Sequence, residues 1–161
     1  MADGVSAEEF RTAMSAFASG VTIVTARAED GAPHGLTATA FASVSRDPPL
    51  CLVCVAHAAE ACPVIHATGA FAVNLLATGA EALSVRFATH GIDKFEGVPW
   101  IPGPLTRCPL LGGALMGVEC TVDRALTAGD HDLFLGRLRA VHPGVGEPLL
   151  YFRARYGRFS P

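Results

Sequence analysis

An alternation of hydroxyl-bearing and small apolar residues between His34 and Leu50 is the feature that most restricts how this chain can fold. Successive side chains of a β-strand point to opposite faces of a sheet, so this period of two predicts one strand with two chemically different faces. Asp47-Pro48-Pro49 is expected to end the strand, because proline has no N–H to donate to a sheet. One face carries Thr37, Thr39, Phe41, Ser43 and Ser45, and the other carries Ala38, Ala40, Ala42 and Val44.

The hydroxyl-bearing face has two interpretations. Hydroxyl groups donate and accept hydrogen bonds, and alanine-sized neighbours let a flat ligand approach the backbone, so the strand suits a polar planar molecule bound without charge. Threonine and serine are also good strand formers on a hydrated sheet face. The periodicity alone favours this second interpretation.

The composition limits the class of protein. The 161 residues, 50% of them hydrophobic, fit one domain over residues 1–161 that can bury a core. The net charge is −3, and basic residues are scattered singly except at Arg153, Arg155 and Arg158, which argues against a nucleic-acid partner. The first residues are acidic and no apolar run is long enough to cross a bilayer, so we expect a cytoplasmic protein with no membrane partner.

The cysteines and histidines point to no metal centre by their spacing. The five cysteines are odd in number and lie mostly in apolar surroundings, which is typical of buried, reduced thiols. Cys51 and Cys54 have CxxC spacing, but on a strand residues three apart face opposite ways and do not chelate one ion together. The six histidines form no HxH or HExxH motif, so no metal ligand is predicted.

Short segments of strand and helix follow one another along the chain. Ser6-Ala7-Glu8-Glu9 is typical of a capping box, and apolar residues at helical spacing predict an amphipathic helix that ends near Gly20. Gly97 to Gly113 is rich in proline and glycine and is expected to form a long ordered loop around Trp100. Strands are predicted at 21–27, 50–56, 71–77, 118–126, 133–141 and 149–156, and further helices at 61–69 and 81–90.

These segments favour a mainly β fold. Short strands outnumber helices and do not alternate with long helical segments, so a closed antiparallel barrel is expected rather than a parallel nucleotide-binding sheet. The chain has neither GxGxxG after a strand nor GxxxxGK[ST], so a nucleotide would have to be bound without a Rossmann or P-loop device.

Several segments, in this order, resemble the flavin reductase family over nearly the whole chain: Gly20 to Thr25, His34 to Leu50, Phe71 to Leu76, Lys94 to Gly97, Glu119-Cys120 and Gly129-Asp130-His131. The resemblance implies a Greek-key, FMN-binding split β-barrel with a few short peripheral helices. It also implies a homodimer that binds FMN or FAD near the subunit interface, takes NADH or NADPH as co-substrate, and supplies a separate oxygenase component.

The same resemblance implies flavin contacts along the hydroxyl-bearing strand, at Thr37, Ala38, Thr39, Ala40, Phe41, Ser43, Val44 and Ser45. Many family members have Asn-Ser where this chain has Thr39-Ala40; Thr39 keeps a donor and an acceptor, whereas Ala40 leaves only its backbone. His57 is the remaining phosphate partner after the strand 50–56, or else an exposed loop histidine.

Four further residues have a functional and a structural interpretation. Asn74 is expected to bond either the flavin or a neighbouring backbone group. The resemblance places Phe87 and Lys94 near the flavin edge; the alternatives are helix core for Phe87 and a solvated charge for Lys94. The resemblance places His131 beside the nicotinamide, with Asp130 fixing its orientation and tautomer; without the resemblance it is a turn histidine with no functional role.

Hydride transfer to a flavin needs oriented rings rather than a strong acid or nucleophile, which agrees with the lack of a Ser/His/Asp or paired-carboxylate signature. We therefore predict an NAD(P)H-dependent flavin reductase. Two alternatives stay open: a split-barrel protein that carries or senses flavin or haem without turnover, and a flavoenzyme that oxidises a small substrate against the Trp100 loop.

Overall fold

The computed structural model describes residues 4–160 and is mainly antiparallel β-structure. Its helices are α1 (Ala7–Ser15), α2 (Ala61–Thr68) and α3 (Glu81–Ala88). Its strands are β1 (Ser19–Gly20), β2 (Thr22–Arg27), β3 (Pro33–Ala38), β4 (Phe41–Arg46), β5 (Pro49–Ala56), β6 (Ala70–Leu76), β7 (Trp100–Pro102), β8 (Pro109–Leu111), β9 (Ala114–Ala128), β10 (His131–Pro143), β11 (Leu149–Phe152) and β12 (Arg155–Arg158).

Seven strands form the barrel sheet in the order β3-β2-β6-β9-β10-β5-β4, and every neighbouring pair is antiparallel. β3 and β4 are consecutive in the chain but lie at opposite edges of this sheet, so Thr39-Ala40 must cross from one edge to the other. The backbone N–H of Cys54 on β5 donates to the carbonyl of Ala40 at 3.1 Å and so fixes the end of the crossover against β5. The predicted mainly β split barrel is confirmed.

The hydroxyl-bearing segment is therefore two strands, not one, which corrects the sequence prediction. Residues 33–38 pair with β2, and residues 41–46 pair with β5. Side-chain alternation reports which face a residue occupies but not which strand it pairs with, so it could not show the change of partner. The predicted strand 149–156 is likewise a hairpin, because Arg153 and Ala154 adopt positive φ angles of 46° and 58° and reverse the chain.

The barrel interior is filled by inward-facing residues of its central strands. β2 is buried on both faces from Thr22 to Ala26. β5 alternates, so that Val53 and Val55 are fully buried in the core while Cys54 and Ala56 face outward. Cys51 shares the inner face and lies 3.7 Å from Cys120, Sγ to Sγ, which confirms that Cys51 and Cys54 point to opposite faces.

The N-terminal helix forms as its capping residues predict but ends earlier. Ser6 Oγ accepts from the Glu9 N–H at 3.2 Å, and the Glu9 carboxylate accepts from the Ser6 N–H at 2.8 Å. The helix ends at Ser15, not near Gly20, because the chain then enters the short strand β1. Within residues 4–160, no helix has the length and apolar character needed to cross a bilayer.

Candidate active site

A cavity of about 360 Å³ opens on the outer face of the barrel where the two sheet edges meet. The edge strand β3 and the Thr39-Ala40 crossover form one side, and β5, the loop after it, α3 and the start of β10 form the rest. Its lining residues are Leu36, Thr37, Ala38, Thr39, Ala40, Cys54, Ala56, Ala58, Ala59, Phe87, Ala88, His90, Lys94 and His131.

Small side chains dominate this wall. Six of the 14 lining residues are alanines, so a ligand can approach the backbone of β3, β5 and the crossover closely. The wall is polar at only a few points, among them two threonine hydroxyls and the Lys94 ammonium group. A surface of this kind suits a flat, largely uncharged ring system with hydrogen-bonding edges.

The Thr37 hydroxyl of β3 is connected to the C-terminal hairpin through Ser84 of α3. Thr37 Oγ1 donates to the Ser84 carbonyl at 2.6 Å, and Tyr156 OH donates to Ser84 Oγ at 2.9 Å. A smaller cavity of about 190 Å³ shares Thr37, Thr39 and Ala88 with the first and extends to Tyr151 and Tyr156. The two cavities are therefore neighbours that share part of their wall.

Lys94 is held at the base of the cavity by backbone carbonyls. Its Nζ donates to Gly35 O at 3.1 Å and to Phe87 O at 3.0 Å. Burial lowers the pKa of Lys94, and the nearby charge of Glu60 partly offsets this. Phe87 is fully buried and packs edge-on against Phe95 at 5.0 Å between ring centroids, so it belongs to the core as well as to the cavity base.

His131 reaches the cavity from the first position of β10, directly after the turn that follows β9. It pairs with Ala56 across the β5–β10 ladder, and both side chains line the cavity. Its Nδ1 lies 2.7 Å from Asp130 Oδ1, so the ring N–H donates to the carboxylate and Nε2 is left for a ligand. The hydrogen bond from His131 lowers the pKa of Asp130.

Seven of the predicted site residues come together here: Thr37, Ala38, Thr39, Ala40, Phe87, Lys94 and His131. Four others, Phe41, Ser43, Val44 and Ser45, lie on β4 beyond the crossover and do not line this cavity. Phe41 packs against the barrel core and borders a separate cavity, and Val44 is exposed. The change of strand partner at Thr39-Ala40 separates the two groups.

His57 and Asn74 also bond to the protein outside this cavity. His57 Nε2 donates to Asp132 Oδ1 at 3.0 Å. Asn74 is fully buried; its Nδ2 donates to Ile23 O and Pro109 O, and its Oδ1 accepts from the Leu111 N–H at 2.8 Å. Of the two alternatives for Asn74, its hydrogen bonds match the structural one.

Seven lining residues were not singled out by the sequence: Leu36, Cys54, Ala56, Ala58, Ala59, Ala88 and His90. For two of them, the alternation of inward- and outward-facing side chains along β5 could have indicated a position outside the core. Valines at positions 53 and 55 predict an inner face, so Cys54 and Ala56 must lie on the other face. Alanines in loops carry no comparable signal.

The fold and the outward-facing cavity define a split β-barrel protein with a cavity for a ligand. Comparison with known proteins identifies its family. The model of the flavin reductase like domain matches residues 14–160. A flavin reductase (NADH) from Kitasatospora aureofaciens is 40% identical over 158 residues, which cover 96% of this chain and 83% of the relative. The chain belongs to the flavin reductase family.

Two further similarities extend the comparison to function and structure. The reductase component of a 4-nitrophenol 4-monooxygenase/4-nitrocatechol 2-monooxygenase from Rhodococcus opacus is 39% identical over 153 residues, covering 95% of this chain and 81% of the relative. The NADH:FAD oxidoreductase of Streptomyces globisporus C-1027, solved with NAD and FAD fragments, superposes with a TM-score of 0.90 at 35% identity, covering 99% of this chain and 98% of that one.

Proposed function

We propose that this protein is an NADH-dependent flavin reductase that transfers hydride to FMN or FAD and passes the reduced flavin to a separate oxygenase. The observation that carries the proposal is the alanine- and threonine-walled cavity with His131 at its rim, in a chain of the flavin reductase family. We propose NADH and not NADPH because the relatives whose names include a nicotinamide cofactor give NADH. The proposed domain spans residues 1–161.

The lining residues fit a flavin by their chemistry. Thr39 Oγ1 and the backbone of the crossover supply neutral hydrogen-bonding groups for ring edges, and the alanines leave room for the ring plane. When bound, the flavin supplies the hydride acceptor and the nicotinamide the donor. Lys94 presents a positive charge at a fixed position, which favours the negative charge that builds on a flavin as it is reduced.

His131 has the role of positioning the nicotinamide. Its Nδ1–H is bonded to Asp130, so in the neutral ring Nε2 is the acceptor, and a carboxamide N–H is a matching donor. Productive transfer requires the reacting atoms to approach to about 3–3.5 Å with the rings stacked, so a residue that fixes the angle of one ring contributes to the rate. The other lining residues exclude water from the stacked rings.

A homodimer is part of the proposal. Phe10, Met14 and Phe17 follow one another at helical spacing along and just beyond α1, yet their side chains are 57%, 56% and 79% exposed. α1 buries none of its residues within this chain. A capped helix with an exposed apolar stripe is accounted for if the stripe packs against a second copy.

Steady-state assays separate a reductase from a flavin carrier. Purified protein is mixed with FMN or FAD and with NADH or NADPH, and nicotinamide absorbance is followed. We expect multiple turnovers with NADH and slower ones with NADPH. Flavin binding without nicotinamide oxidation would replace the reductase with the carrier alternative.

The same preparation tests whether flavin is a dissociating substrate. Lys94 is the one lysine or arginine among the cavity-lining residues, and its ammonium group is already bonded to two carbonyls. Because Lys94 is assigned to the reduced ring, the phosphate finds no second lysine or arginine among the described cavity-lining residues, and we expect the flavin to separate from the protein on gel filtration. Stoichiometric retention through that step contradicts this expectation.

A further inference from the structure

A second cluster of functional side chains lies apart from the cavity and is not used by the proposed reaction. Cys62 Sγ, His66 Nε2 and a carboxylate oxygen of Asp132 lie within 4.8 Å of one another. His66 Nε2 is 2.7 Å, and Cys62 Sγ 3.6 Å, from the same oxygen, Asp132 Oδ2. Thiol, imidazole and carboxylate converge on one point.

Local structure explains this convergence. Cys62 and His66 are one helical turn apart on α2, so their side chains share a face of that helix. Asp132 follows His131 on β10, and strand alternation sends it to the face opposite the cavity, against α2. The His66 ring is oriented by Phe134, with 4.8 Å between ring centroids.

The carboxylate is itself held in place from its other side. Asp132 Oδ1 accepts from His57 Nε2 at 3.0 Å and from Thr127 Oγ1 at 2.7 Å. These two bonds leave Oδ2 directed at His66 and Cys62. Partners that orient a ligating carboxylate in this way are the usual second layer of a protein metal site.

We propose that Cys62 Sγ, His66 Nε2 and Asp132 Oδ2 bind one Zn²⁺, with water as the fourth ligand. Sulfur, nitrogen and oxygen ligands at about 2.0–2.3 Å from the metal are the set that zinc takes in tetrahedral sites. On binding, the Cys62 thiol proton leaves to solvent, and the His66 proton moves from Nε2 to Nδ1, so the two hydrogen bonds to Asp132 Oδ2 are replaced by metal bonds.

Burial and access fit such a site. Cys62 and Asp132 are 4% and 6% exposed, whereas the His66 side chain is 47% exposed and leaves an entry path. The metal would tie α2 to β10 directly behind the turn that carries His131. Its role is structural, and hydride transfer does not depend on it.

Zinc titration of tag-free, chelator-treated protein tests the site by calorimetry, with Co²⁺ as a spectroscopic substitute. We expect one equivalent of zinc to bind and to raise the melting temperature, and Co²⁺ to give the near-ultraviolet charge-transfer absorption of a cobalt–thiolate bond. Less than one equivalent of zinc, or cobalt binding without that absorption, overturns the proposal.

Two variants and one control assign the ligands. Cys62→Ser and His66→Gln are each expected to weaken zinc binding at least tenfold, whereas Cys108→Ser, a buried thiol elsewhere in the chain, leaves it unchanged. Equal zinc affinity of Cys62→Ser and Cys108→Ser overturns the assignment. Metal-free melting curves report folding; if Cys62→Ser does not fold, His66→Gln, at a half-exposed side chain, decides the result. Flavin reduction is read separately, so failure of one proposal leaves the other distinguishable.

Discussion

At the scale of single residues, the contact between His131 and Asp130 gives the sharpest test of the active-site assignment. His131→Ala removes the acceptor Nε2 from the cavity rim, and we expect the KM for NADH to rise about tenfold, equivalent to about 1.4 kcal/mol. The KM for flavin should change much less, because the flavin contacts lie on β3 and the crossover. Steady-state kinetics with each substrate varied in turn measures both constants.

Two variants complete this test. Asp130→Asn keeps the histidine but weakens its orientation, and a smaller rise in the same constant is expected. His34→Ala, which removes a histidine on β3 that faces Glu60 outside the cavity, serves as the control. An unchanged NADH constant in His131→Ala removes the nicotinamide role from this residue.

The small side chains of the cavity wall are tested at Ala56. Ala56→Phe places a ring in the space proposed for flavin, so flavin affinity should fall at least about tenfold. Because the Ala56 side chain points away from the core, the melting temperature should change little. Ala42→Phe, on the exposed part of β4, is the matched control, and fluorescence titration with FMN and FAD measures both variants. Normal flavin affinity in Ala56→Phe would show that flavin binds elsewhere.

At the scale of elements, one buried carboxylate ties the proline- and glycine-rich loop to the barrel. Glu119 on β9 is fully buried, and its Oε2 accepts from the N–H groups of Leu105 and Thr106 and from Thr106 Oγ1, at 2.6–3.0 Å. His142 Nε2 donates to Oε1 at 2.9 Å. Burial alone would raise the pKa of Glu119, but the hydrogen bonds from Thr106, His142 and Leu105 outweigh it and lower the pKa.

This environment predicts a pH-dependent stability. Because the folded-state pKa is below that of the unfolded chain, the unfolded chain binds more protons, and the stabilisation is complete above the ordinary glutamate pKa of about 4.3. It is lost as the pH falls through the folded-state pKa. Glu119→Gln should lower the free energy of unfolding by about 1–3 kcal/mol at neutral pH.

Melting curves of wild type and Glu119→Gln across this pH range measure the effect. The difference in stability between the two proteins should shrink toward the acid end of the range. There the wild-type carboxyl is protonated and therefore neutral, like the glutamine amide. A difference that stays constant with pH would mean that Glu119 stabilises the loop by packing and not by its charge.

At the scale of the whole molecule, the exposed stripe of α1 predicts the oligomeric state. Phe17→Asp replaces an apolar side chain with a charge in the proposed interface, and burial of a phenylalanine contributes about 1.5–3 kcal/mol. We therefore expect the dimer dissociation constant to rise at least about tenfold. Light scattering across a concentration series gives the mass of each variant.

Val145→Asp, at an 89% exposed position in the loop between β10 and β11, is the control for the effect of an added charge. Wild-type protein that is monomeric throughout the series would rule out the homodimer. A Phe17→Asp variant that dimerises as well as wild type would move the interface away from α1.

Much of the fold and part of the site followed from local patterns. The capping residues of α1, the short strands and the outward position of Cys54 are set by backbone periodicity and hydrogen-bonding capacity, which act over a few residues. The family resemblance pointed to Lys94 and His131, which are 37 residues apart in the chain and line one cavity in the structure.

Other features depended on contacts between distant residues. Strand alternation determined the two faces of residues 34–50, but only barrel closure decided that the segment changes partner at Thr39-Ala40 and leaves Ser43 to Ser45 outside the cavity. The sequence alone predicted that the Asn74 amide needs a hydrogen-bond partner. Only the tertiary structure shows that its partners lie on β2 and β8. Cys62 and His66 are one helical turn apart in the sequence, but Asp132, the third member of the cluster, is brought to α2 only by sheet pairing. Local side-chain alternation determined which residues share a strand face. Long-range strand pairing determined which of those faces come together in the folded protein.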